Sequence, residues 1–299
     1  MIVETGRIAF TGATGQLGRA IQAAAPDSLG LGRDRLDLSK PRQSAAALDA
    51  VLQDNPDVIG VINAAAHTAV DRAEDEEALA QSINGEAPGA LAAVCASRGV
   101  PFVHISTDYV FAGDASTPYA ADAPTAPLNA YGRTKLAGER AVLAAGGAAA
   151  MLRTSWVYDT RGKNFLTTML RLAASRDTLS VVADQIGRPT FAGDLADAAI
   201  AALHRLRRDE GLRGVYHVSN TGPATSWADF ARAIFAVAGT GTQVVPIPAS
   251  DYPTPARRPA YSVLDTTGFE TAFGHALPDW RDALARALAA HPEAMTPQP

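Results

Sequence analysis

The stretch Arg7-Ile-Ala-Phe-Thr-Gly-Ala-Thr-Gly-Gln-Leu-Gly18 reads as a short apolar strand that runs directly into a glycine-rich turn. Residues 19–25, which follow, have the composition of a helix. A strand, a glycine turn and a helix in this order are typical of a dinucleotide-binding unit, where free N–H groups and the helix dipole attract phosphates. The GxxGxxG spacing is weak alone, since many such patterns are ordinary turns. Its position at the first strand favours nucleotide binding.

Each glycine of this turn has a predicted purpose. Gly12 allows the tight turn, Gly15 lets the backbone approach a pyrophosphate, and Gly18 permits close packing of the helix. The predicted cofactor-binding residues here are Gly12, Thr14, Gly15, Gln16, Leu17 and Gly18.

Residues 28–32 are predicted to form the second strand, which ends at Arg33 with Asp37 and Leu38 close behind. An acidic residue at such a strand end favours the ribose hydroxyls of NAD, whereas an arginine accommodates the 2′-phosphate of NADP. Arg33 therefore favours NADPH, with NADH as the open alternative. A solvent-exposed loop charge is an equally simple interpretation of this arginine.

Small side chains follow the third predicted strand, residues 58–62, and leave room for a flat ring system. We expect Ala64, Ala65 and Ala66 to line the adenosine and ribose side of the cofactor site. His67 comes next, as a candidate ligand-binding residue or a structural histidine. The acidic residues 74–77 are predicted to begin a helix as a solvated face. Asn84, inside the helix predicted at 79–98, is mildly unfavourable there and is a candidate site residue.

The chemistry is predicted to centre on two segments. Residues 101–105 read as a buried strand that ends at Ser106-Thr107-Asp108-Tyr109, and the carboxyl ends of such strands bind ligands in open α/β sheets. Tyr131 and Lys135 lie one helical turn apart on one face. A nearby ammonium lowers the pKa of a phenol, so we expect Lys135 to tune Tyr131 for proton transfer.

Strand and helix patterns alternate through about residue 220, which predicts a right-handed parallel sheet covered by helices on both faces. The fold class is α/β, a Rossmann-type doubly wound sheet with a smaller mixed C-terminal layer. We expect a dinucleotide-binding domain at 1–155 and a mainly substrate-binding domain at 156–299, with about 181–220 returning to the core. A strand is predicted at 151–158, with Trp156 near its end. The last third is expected to cap the substrate cleft.

Arg257 and Arg258 lie in a proline-rich loop. Two adjacent guanidinium groups could bind a diphosphate there, or they could be exposed surface residues without a ligand. No cluster of metal-ligating residue types stands out in the sequence, so no metal is expected.

Composition narrows the function classes. A net charge of −5 gives no electrostatic argument for nucleic acid or an anionic membrane, and hydrophobic residues at 47% indicate a globular protein. The single cysteine, Cys95, cannot form an internal disulfide, and no apolar run reaches the length of a membrane span or a signal peptide. A cytoplasmic protein is expected.

Three motifs together resemble the extended short-chain dehydrogenase/reductase family: Thr11 to Gly18, Ser106-Thr-Asp108 and Tyr131-x-x-x-Lys135. Four further segments resemble, within that family, the dTDP-4-dehydrorhamnose reductases. They are Asn63 to Asp71, Ser106 to Phe111, Asp184 to Thr190 and Arg258 to Ser262. These motifs span most of the chain.

The resemblance implies reduction of the 4-keto group of dTDP-6-deoxy-L-lyxo-4-hexulose by NADPH or NADH, yielding dTDP-L-rhamnose. Tyr131 would give the proton, Lys135 would bind the nicotinamide ribose, and Thr107 would hydrogen-bond the keto oxygen. Asp108, Tyr109 and Trp156 are the implied sugar contacts, together with His67 and Arg258.

Two features depart from the family pattern. His67 stands where a tyrosine is common, and the acidic positions of a metal-bridged dimer are not recognisable, so the resemblance implies neither magnesium nor a choice between monomer and homodimer. Two other functions remain open. One is a 4-ketoreductase of another nucleotide-linked deoxysugar, and the other is a non-catalytic NADP-binding regulatory subunit.

Overall fold

The computed structural model describes residues 6–295, and residues 1–5 and 296–299 lie outside this description. The strands in the described part are β1 Arg7–Thr11, β2 Leu29–Leu31, β3 Val58–Asn63, β4 Phe102–Thr107, β5 Ala149–Thr154, β6 Val157–Tyr158, β7 Thr178–Val182, β8 Ile186–Gly187, β9 Thr190–Phe191, β10 Gly214–His217, β11 Thr225–Ser226 and β12 Gln243–Ile247. The α-helices are α1 Gln16–Ala24, α2 Pro41–Asp54, α3 Arg72–Asp75, α4 Glu77–Ala80, α5 Ala87–Ser97, α6 Ala130–Ala145, α7 Phe165–Ala173, α8 Ala192–Arg208, α9 Trp227–Ala238, α10 Thr267–Phe273 and α11 Trp280–Ala290. A π-helical segment, Gln81–Glu86, joins α4 to α5.

The main sheet has six parallel strands in the order β10-β5-β4-β3-β1-β2. The chain winds away from β1 in both directions, so a crevice forms at the carboxyl ends of β1 and β3, where such sheets bind ligands. β3 and β5 are buried along their whole length, the pattern of strands covered on both faces. The predicted Rossmann-type α/β fold is confirmed.

Helices cover both faces of this sheet. Ile21 of α1 and Leu203 of α8 belong to the core on one face. Leu48 of α2, Leu91 of α5 and Val142 of α6 belong to the core on the other. Burying one such side chain contributes about 1.5–3 kcal/mol to the free energy of unfolding, so the two layers are the main source of stability.

A smaller layer forms beside the carboxyl edge of the main sheet. Here β7 pairs with β12 in parallel, while β8 pairs with β11 antiparallel. Leu170 of α7, Phe230 of α9 and Trp280 of its neighbour α11 share its apolar core. The mixed strand pairing agrees with the predicted fold class.

Three expectations about the chain order need correction. Residues 181–190 lie in the smaller layer, because β7 and β8 pair within it, and the chain returns to the main sheet only with α8 and β10. Phe269 and Phe273 of α10 pack into the main core, so the last third does more than cap a cleft. The strand expected at 151–158 breaks after Thr154, since Trp156 has a φ of +49°.

Within residues 6–295, no helix is both long and apolar enough to cross a membrane. The same part of the chain holds no group of three or more histidine, cysteine, aspartate or glutamate side chains placed to bind a metal ion. Cys95 is buried in α5, where burial raises the pKa of its thiol.

Candidate active site

The glycine turn between β1 and α1 is compact because its glycines carry no side chains. Gly12 has a φ of +75°, and a Cβ there would lie 3.0 Å from backbone atoms of Ala65. A Cβ on Gly18 would lie 2.1 Å from the carbonyl oxygen of Gly12, which would force α1 off the turn. Gly15 caps α1 and donates its N–H to the Gly12 carbonyl oxygen. The N-terminus of α1 is thereby fixed at the sheet edge.

The other predicted residues of this turn differ in exposure. Thr14 is exposed, and its carbonyl oxygen accepts a hydrogen bond of 2.7 Å from Arg19. Leu17 is buried in the main core, so only its backbone can contact a cofactor. The Oε1 atom of Gln16 is buried without a hydrogen-bond partner. An acceptor in this position can receive a hydrogen bond from a bound ligand.

Arg33 lies two residues after the end of β2 and extends into solvent, with 78% of its side chain exposed. Its Nε atom lies 3.4 Å from Oδ1 of Asp37. Hydrogen bonding to Ser39 is the main reason that the pKa of Asp37 is lowered, so the contact with Arg33 is secondary. Leu38 is buried. Arg33 can therefore reach an anionic group, as can the exposed Arg35 of the same loop.

His67 and Asn84 are joined across the sheet edge. The Asn84 side chain accepts from the backbone N–H of His67 at 2.8 Å and donates to its carbonyl oxygen at 3.1 Å. It also donates to Thr134 of α6 at 3.2 Å. The imidazole Nε2 of His67 lies 3.2 Å from Glu76, while its Nδ1 is buried without a partner. Ala64, Ala65 and Ala66 immediately precede His67 and are half-buried.

Asn84 lies in the π-helical segment, which falls within the helix predicted at 79–98. A π-bulge inserts one extra residue per turn and is frequent at functional sites. Here it turns the Asn84 amide toward His67 and α6. The helix predicted at 79–98 is confirmed as an unbroken helical run from Glu77 to Ser97, and the π-helical turn within it was not predicted.

Two of the acidic residues at 74–77, Glu74 and Glu77, hold the start of α6, whereas Asp75 is exposed as predicted for a solvated face. Glu74 accepts a hydrogen bond of 2.8 Å from the backbone N–H of Ala130. Glu77 pairs with Arg133 through two bonds of 2.9 Å. Asn129 caps the helix by accepting from the N–H of Gly132. These contacts fix the first turn of α6, which carries Tyr131.

Thr107, Asp108 and Tyr131 come together at the carboxyl end of β4. Burial raises the pKa of Tyr131 to about 12, while hydrogen bonding to Thr107 acts in the opposite direction. The Thr107 hydroxyl also donates to Asp108 at 2.9 Å. Burial raises the pKa of Asp108 to about 6, against hydrogen bonds from Ser262 and Thr107. The ring of Tyr109 packs edge-on against Tyr131, with centroids 5.5 Å apart.

Lys135 lies one turn after Tyr131 and is buried. Its ammonium donates to the carbonyl oxygen of Ile105 at 2.6 Å and lies 3.3 Å from Nε2 of His104. Burial lowers the pKa of Lys135 to about 8, while Glu139 raises it. The expectation that Lys135 lowers the pKa of Tyr131 is wrong for this structure, because burial of the phenol dominates.

Trp156 lies at the rim, where its indole stacks on Trp227 of α9 with centroids 3.5 Å apart. A Cβ on Gly187 would lie 2.4 Å from the Trp156 ring, so the indole is enclosed from a second side. Trp227 also lines a cavity of about 870 Å³ in the smaller layer. The Trp156 side of the site and this cavity therefore adjoin through one aromatic stack.

Arg258 lines the same cavity and pairs with Asp71 at 2.8 Å. Both residues belong to the segments that prompted the family resemblance. Arg257 is exposed, and its carbonyl oxygen accepts from Asn129 at 2.8 Å. The two adjacent arginines thus have different surroundings, and a joint clamp on a diphosphate stays a prediction.

Sequence reasoning missed several residues that surround this site. Trp227 gave no local signal, because it begins an ordinary amphipathic helix far along the chain. Glu74 was part of a charged run, and only the fold shows that it meets α6. His104 was hidden inside an apolar strand, although a histidine between Val103 and Ile105 is itself unusual for a fully buried segment.

The chain is similar over nearly its whole length to known proteins. A profile of the family described as RmlD substrate binding domain matches residues 6–292. The dTDP-4-dehydrorhamnose reductase of Burkholderia thailandensis is 47% identical over 293 residues, covering 93% of this chain and 96% of the relative. A probable dTDP-4,6-dihydroxy-2-methyloxan-3-one 4-ketoreductase of Streptomyces antibioticus is 44% identical over 285 residues, covering 93% of each.

A solved structure shows the same architecture. The dTDP-4-dehydrorhamnose reductase of Bacillus anthracis, in complex with NADP, aligns with a TM-score of 0.87 at 36% identity. The alignment covers 96% of this chain and 99% of the other.

Proposed function

Since the chain belongs to the family of RmlD-type dTDP-4-dehydrorhamnose reductases, we propose that Thr107, Tyr131 and Lys135 carry its reaction. The protein is an NAD(P)H-dependent oxidoreductase that reduces the 4-keto group of dTDP-6-deoxy-L-lyxo-4-hexulose to give dTDP-L-rhamnose. The observation that supports the residue roles best is that the buried Thr107 and Lys135 meet the half-buried Tyr131 at the carboxyl end of β4 and the start of α6.

The glycine turn fits a dinucleotide. Side chains at Gly12 and Gly18 would collide with neighbouring backbone, so these positions keep the turn close to the sheet edge. The N–H groups at the start of α1 would hold the pyrophosphate, with Ala64 to Ala66 beside the adenosine and ribose. Arg33 would bind the 2′-phosphate of NADPH. NADH, which lacks this phosphate, is the alternative cofactor. When bound, the reduced nicotinamide supplies the hydride.

Tyr131 would supply the proton. With a pKa of about 12 its phenol is protonated at neutral pH, so the proton is present when the reaction needs it. Reduction of the C4 carbonyl turns its oxygen into an alkoxide, which takes that proton and becomes the hydroxyl of the product. The hydroxyl of Thr107 would hold the keto oxygen in place. Lys135 would bind the nicotinamide ribose.

Sugar recognition would fall to the residues around Tyr131. Asp108 and His67 offer buried polar atoms without hydrogen-bond partners, Oδ2 and Nδ1 respectively. Tyr109 and Trp156 present aromatic faces that suit the apolar side of a deoxysugar. Arg258 and the adjoining cavity would receive the nucleotide diphosphate. In this arrangement the cofactor would bind mainly to the domain at 1–155, and the sugar nucleotide would contact both this domain and the one at 156–299.

Reduction of a different nucleotide-linked deoxysugar is the second candidate function. The relative from Streptomyces antibioticus, at 44% identity, bears the name of a 4-ketoreductase for another dTDP sugar. The chemistry would be unchanged and the substrate pocket would differ. A non-catalytic regulatory subunit would instead bind NADP without turnover, and it gives no reason for Tyr131 and Lys135 to lie one helical turn apart beside Thr107.

We also propose that the protein works in the cytoplasm as a monomer or homodimer without a metal ion. Nucleotide sugars and reduced nicotinamides are cytoplasmic metabolites, and the single cysteine suits a reducing compartment.

The test is the oxidation of NADPH, and of NADH in parallel, with dTDP-6-deoxy-L-lyxo-4-hexulose supplied. We expect substrate-dependent oxidation with dTDP-L-rhamnose as the product and a preference for NADPH. Oxidation only with another dTDP-4-ketosugar would favour the second candidate. If the protein binds NADPH but no ketosugar leads to NADPH oxidation, an enzymatic role would be contradicted.

A further inference from the structure

A chain of buried polar groups crosses the main sheet between Lys135 and the cofactor turn. Nζ of Lys135 lies 3.3 Å from Nε2 of His104, whose Nδ1 lies 3.0 Å from Nδ2 of Asn63. Oδ1 of Asn63 lies 2.5 Å from Oγ1 of Thr11, which accepts from the N–H of Ala65 at 3.1 Å. The four side chains are each at most 1% exposed, so solvent does not compete for these bonds.

The order of donors along this chain follows from its fixed end. The backbone N–H of Ala65 can only donate, so Thr11 accepts there and has its own proton to give. The separation of 2.5 Å between Thr11 and Asn63 suits O–H···O and is too short for N–H···O. The Asn63 oxygen therefore faces Thr11, and its NH₂ group faces His104.

This order selects one form of His104. Because Asn63 donates to Nδ1, that nitrogen must carry a lone pair, and the neutral imidazole then has its proton on Nε2. Burial and the neighbouring Lys135 both lower the pKa of His104, which agrees with a neutral ring. Nε2–H thus points at the Lys135 amine.

An N–H donor facing an ammonium group disfavours the ammonium form. The other groups around Lys135 are the Ile105 carbonyl oxygen, which holds it at 2.6 Å, and Glu139 of α6, which favours the charged form. Burial is the first cause of the lowered pKa of Lys135, Glu139 acts against it, and the Nε2–H group of His104 faces the same amine.

We propose that His104 is a positioning residue for Lys135, held in its Nε2–H tautomer by Asn63 and Thr11 so that the lysine is kept on the Ile105 carbonyl oxygen. The inference rests on the proposed role of Lys135 in the reaction, although its geometry does not depend on the substrate. Thr11 immediately precedes Gly12, so one rigid chain links the cofactor turn to the lysine. His104 itself touches neither substrate nor cofactor in this account.

The sequence makes a direct test feasible, since it contains only three lysines, Lys40, Lys135 and Lys163. The full-length protein would be labelled in its lysine side chains and titrated by NMR, with Lys40 and Lys163 as reference signals. We expect Lys135 to titrate at about 8. His104→Asn keeps an acceptor for Asn63 but removes Nε2, so the pKa of Lys135 should rise by roughly one unit.

His217→Asn is the matched control. His217 is another buried histidine of the main sheet, on β10, and its contacts are with Arg153 and the Tyr119 carbonyl oxygen. This variant should leave the Lys135 titration unchanged. A purely structural role for His104 would instead reduce stability without moving the pKa of Lys135.

The histidine tautomer gives a second test that needs no variant. Nitrogen NMR of the unaltered protein should show His104 neutral and protonated on Nε2. A proton on Nδ1, or an unchanged Lys135 titration in His104→Asn, would overturn the proposal. Both readouts are made without turnover, so they stand or fall independently of whether the dTDP ketosugar is reduced.

Discussion

The indole of Trp156 lies flat on the indole of Trp227, with ring centroids 3.5 Å apart and planes 7° from parallel. Among the non-glycine residues at 6–295, Trp156 is the one with a positive φ, +49°. Such a backbone costs on the order of 1 kcal/mol or more and persists only where surrounding contacts hold it. Because Trp156 follows β5 and Trp227 begins α9, the stack joins the main sheet to the smaller layer at the site.

Removing the Trp227 ring should weaken sugar-nucleotide binding. We expect Trp227→Ala to raise KM for the ketosugar about tenfold, because Trp156 loses the partner that fixes its orientation and an aromatic pair contributes about 0.5–1.5 kcal/mol beyond its buried area. Turnover at saturation should change less. Steady-state kinetics would show this, with Trp227→Phe as the variant that keeps a stacking ring. An unchanged KM in the alanine variant would separate Trp227 from substrate binding.

Asp108 should make stability fall as the pH rises. Its folded-state pKa of about 6 lies above the ordinary value of 3.8, so the folded protein binds this proton more tightly than the unfolded chain. Its contribution is fully present below about pH 4 and is lost as the pH rises through about 6. The difference of about two pKa units corresponds to roughly 3 kcal/mol.

Asp108→Asn removes this titration, and its neutral side chain can still accept from Thr107. We expect the variant to gain stability relative to the wild type between about pH 4 and 7, as measured by denaturant unfolding at several pH values. Asp122→Asn, in an exposed loop, is the control and should show no such window. If the free energies of unfolding of Asp108→Asn and the wild type changed with pH in parallel, Asp108 would not be a buried carboxyl with a raised pKa.

Arg33 should distinguish the two nicotinamide cofactors. Arg33→Ala is expected to weaken NADPH binding about tenfold or more and to leave NADH nearly unchanged, because only NADPH carries the 2′-phosphate that a guanidinium can hold. Fluorescence titration with each cofactor measures both affinities. Arg42→Ala, at an exposed position of α2, is the control. Equal losses for NADPH and NADH would remove Arg33 from the 2′-phosphate site.

Glu74 should matter through its hold on the first turn of α6. Glu74→Ala leaves the N–H of Ala130 without its acceptor and is expected to cost about 1 kcal/mol of stability, the usual effect of losing a helix N-terminal hydrogen bond. Because Tyr131 is the next residue, kcat should also fall several-fold. Asp75→Ala, an exposed neighbour, should leave both quantities unchanged. A stable Glu74→Ala variant with normal kcat would show that other contacts suffice to fix α6.

The sequence predicted most of the main sheet, because its strands are short apolar runs and its first turn needs glycines at fixed positions. It also placed Thr107 at a strand end and Tyr131 one helical turn from Lys135, which follow from local periodicity alone. Residues 181–190 were misplaced, since short strands pair with whichever partner the tertiary fold brings near, here β11 and β12.

The electrostatics of the site were the least predictable. Spacing alone suggested that Lys135 lowers the pKa of Tyr131, but burial of the phenol has the larger effect. The Asn84–His67 hydrogen bonds, the Glu74 bond to α6 and the Trp156–Trp227 stack each join residues at least 17 positions apart. No local pattern encodes such contacts, and they depend on the three-dimensional arrangement.

The most direct test of the central claim is the turnover of Tyr131→Phe with NADPH and dTDP-6-deoxy-L-lyxo-4-hexulose. Losing the general acid should lower kcat at least about 10²-fold while folding and NADPH affinity are preserved. Tyr216→Phe is the control, because it deletes a phenol hydroxyl that donates to the Leu212 carbonyl oxygen and is not part of the proposed active site. A kcat for Tyr131→Phe close to that of the unaltered protein would contradict the account.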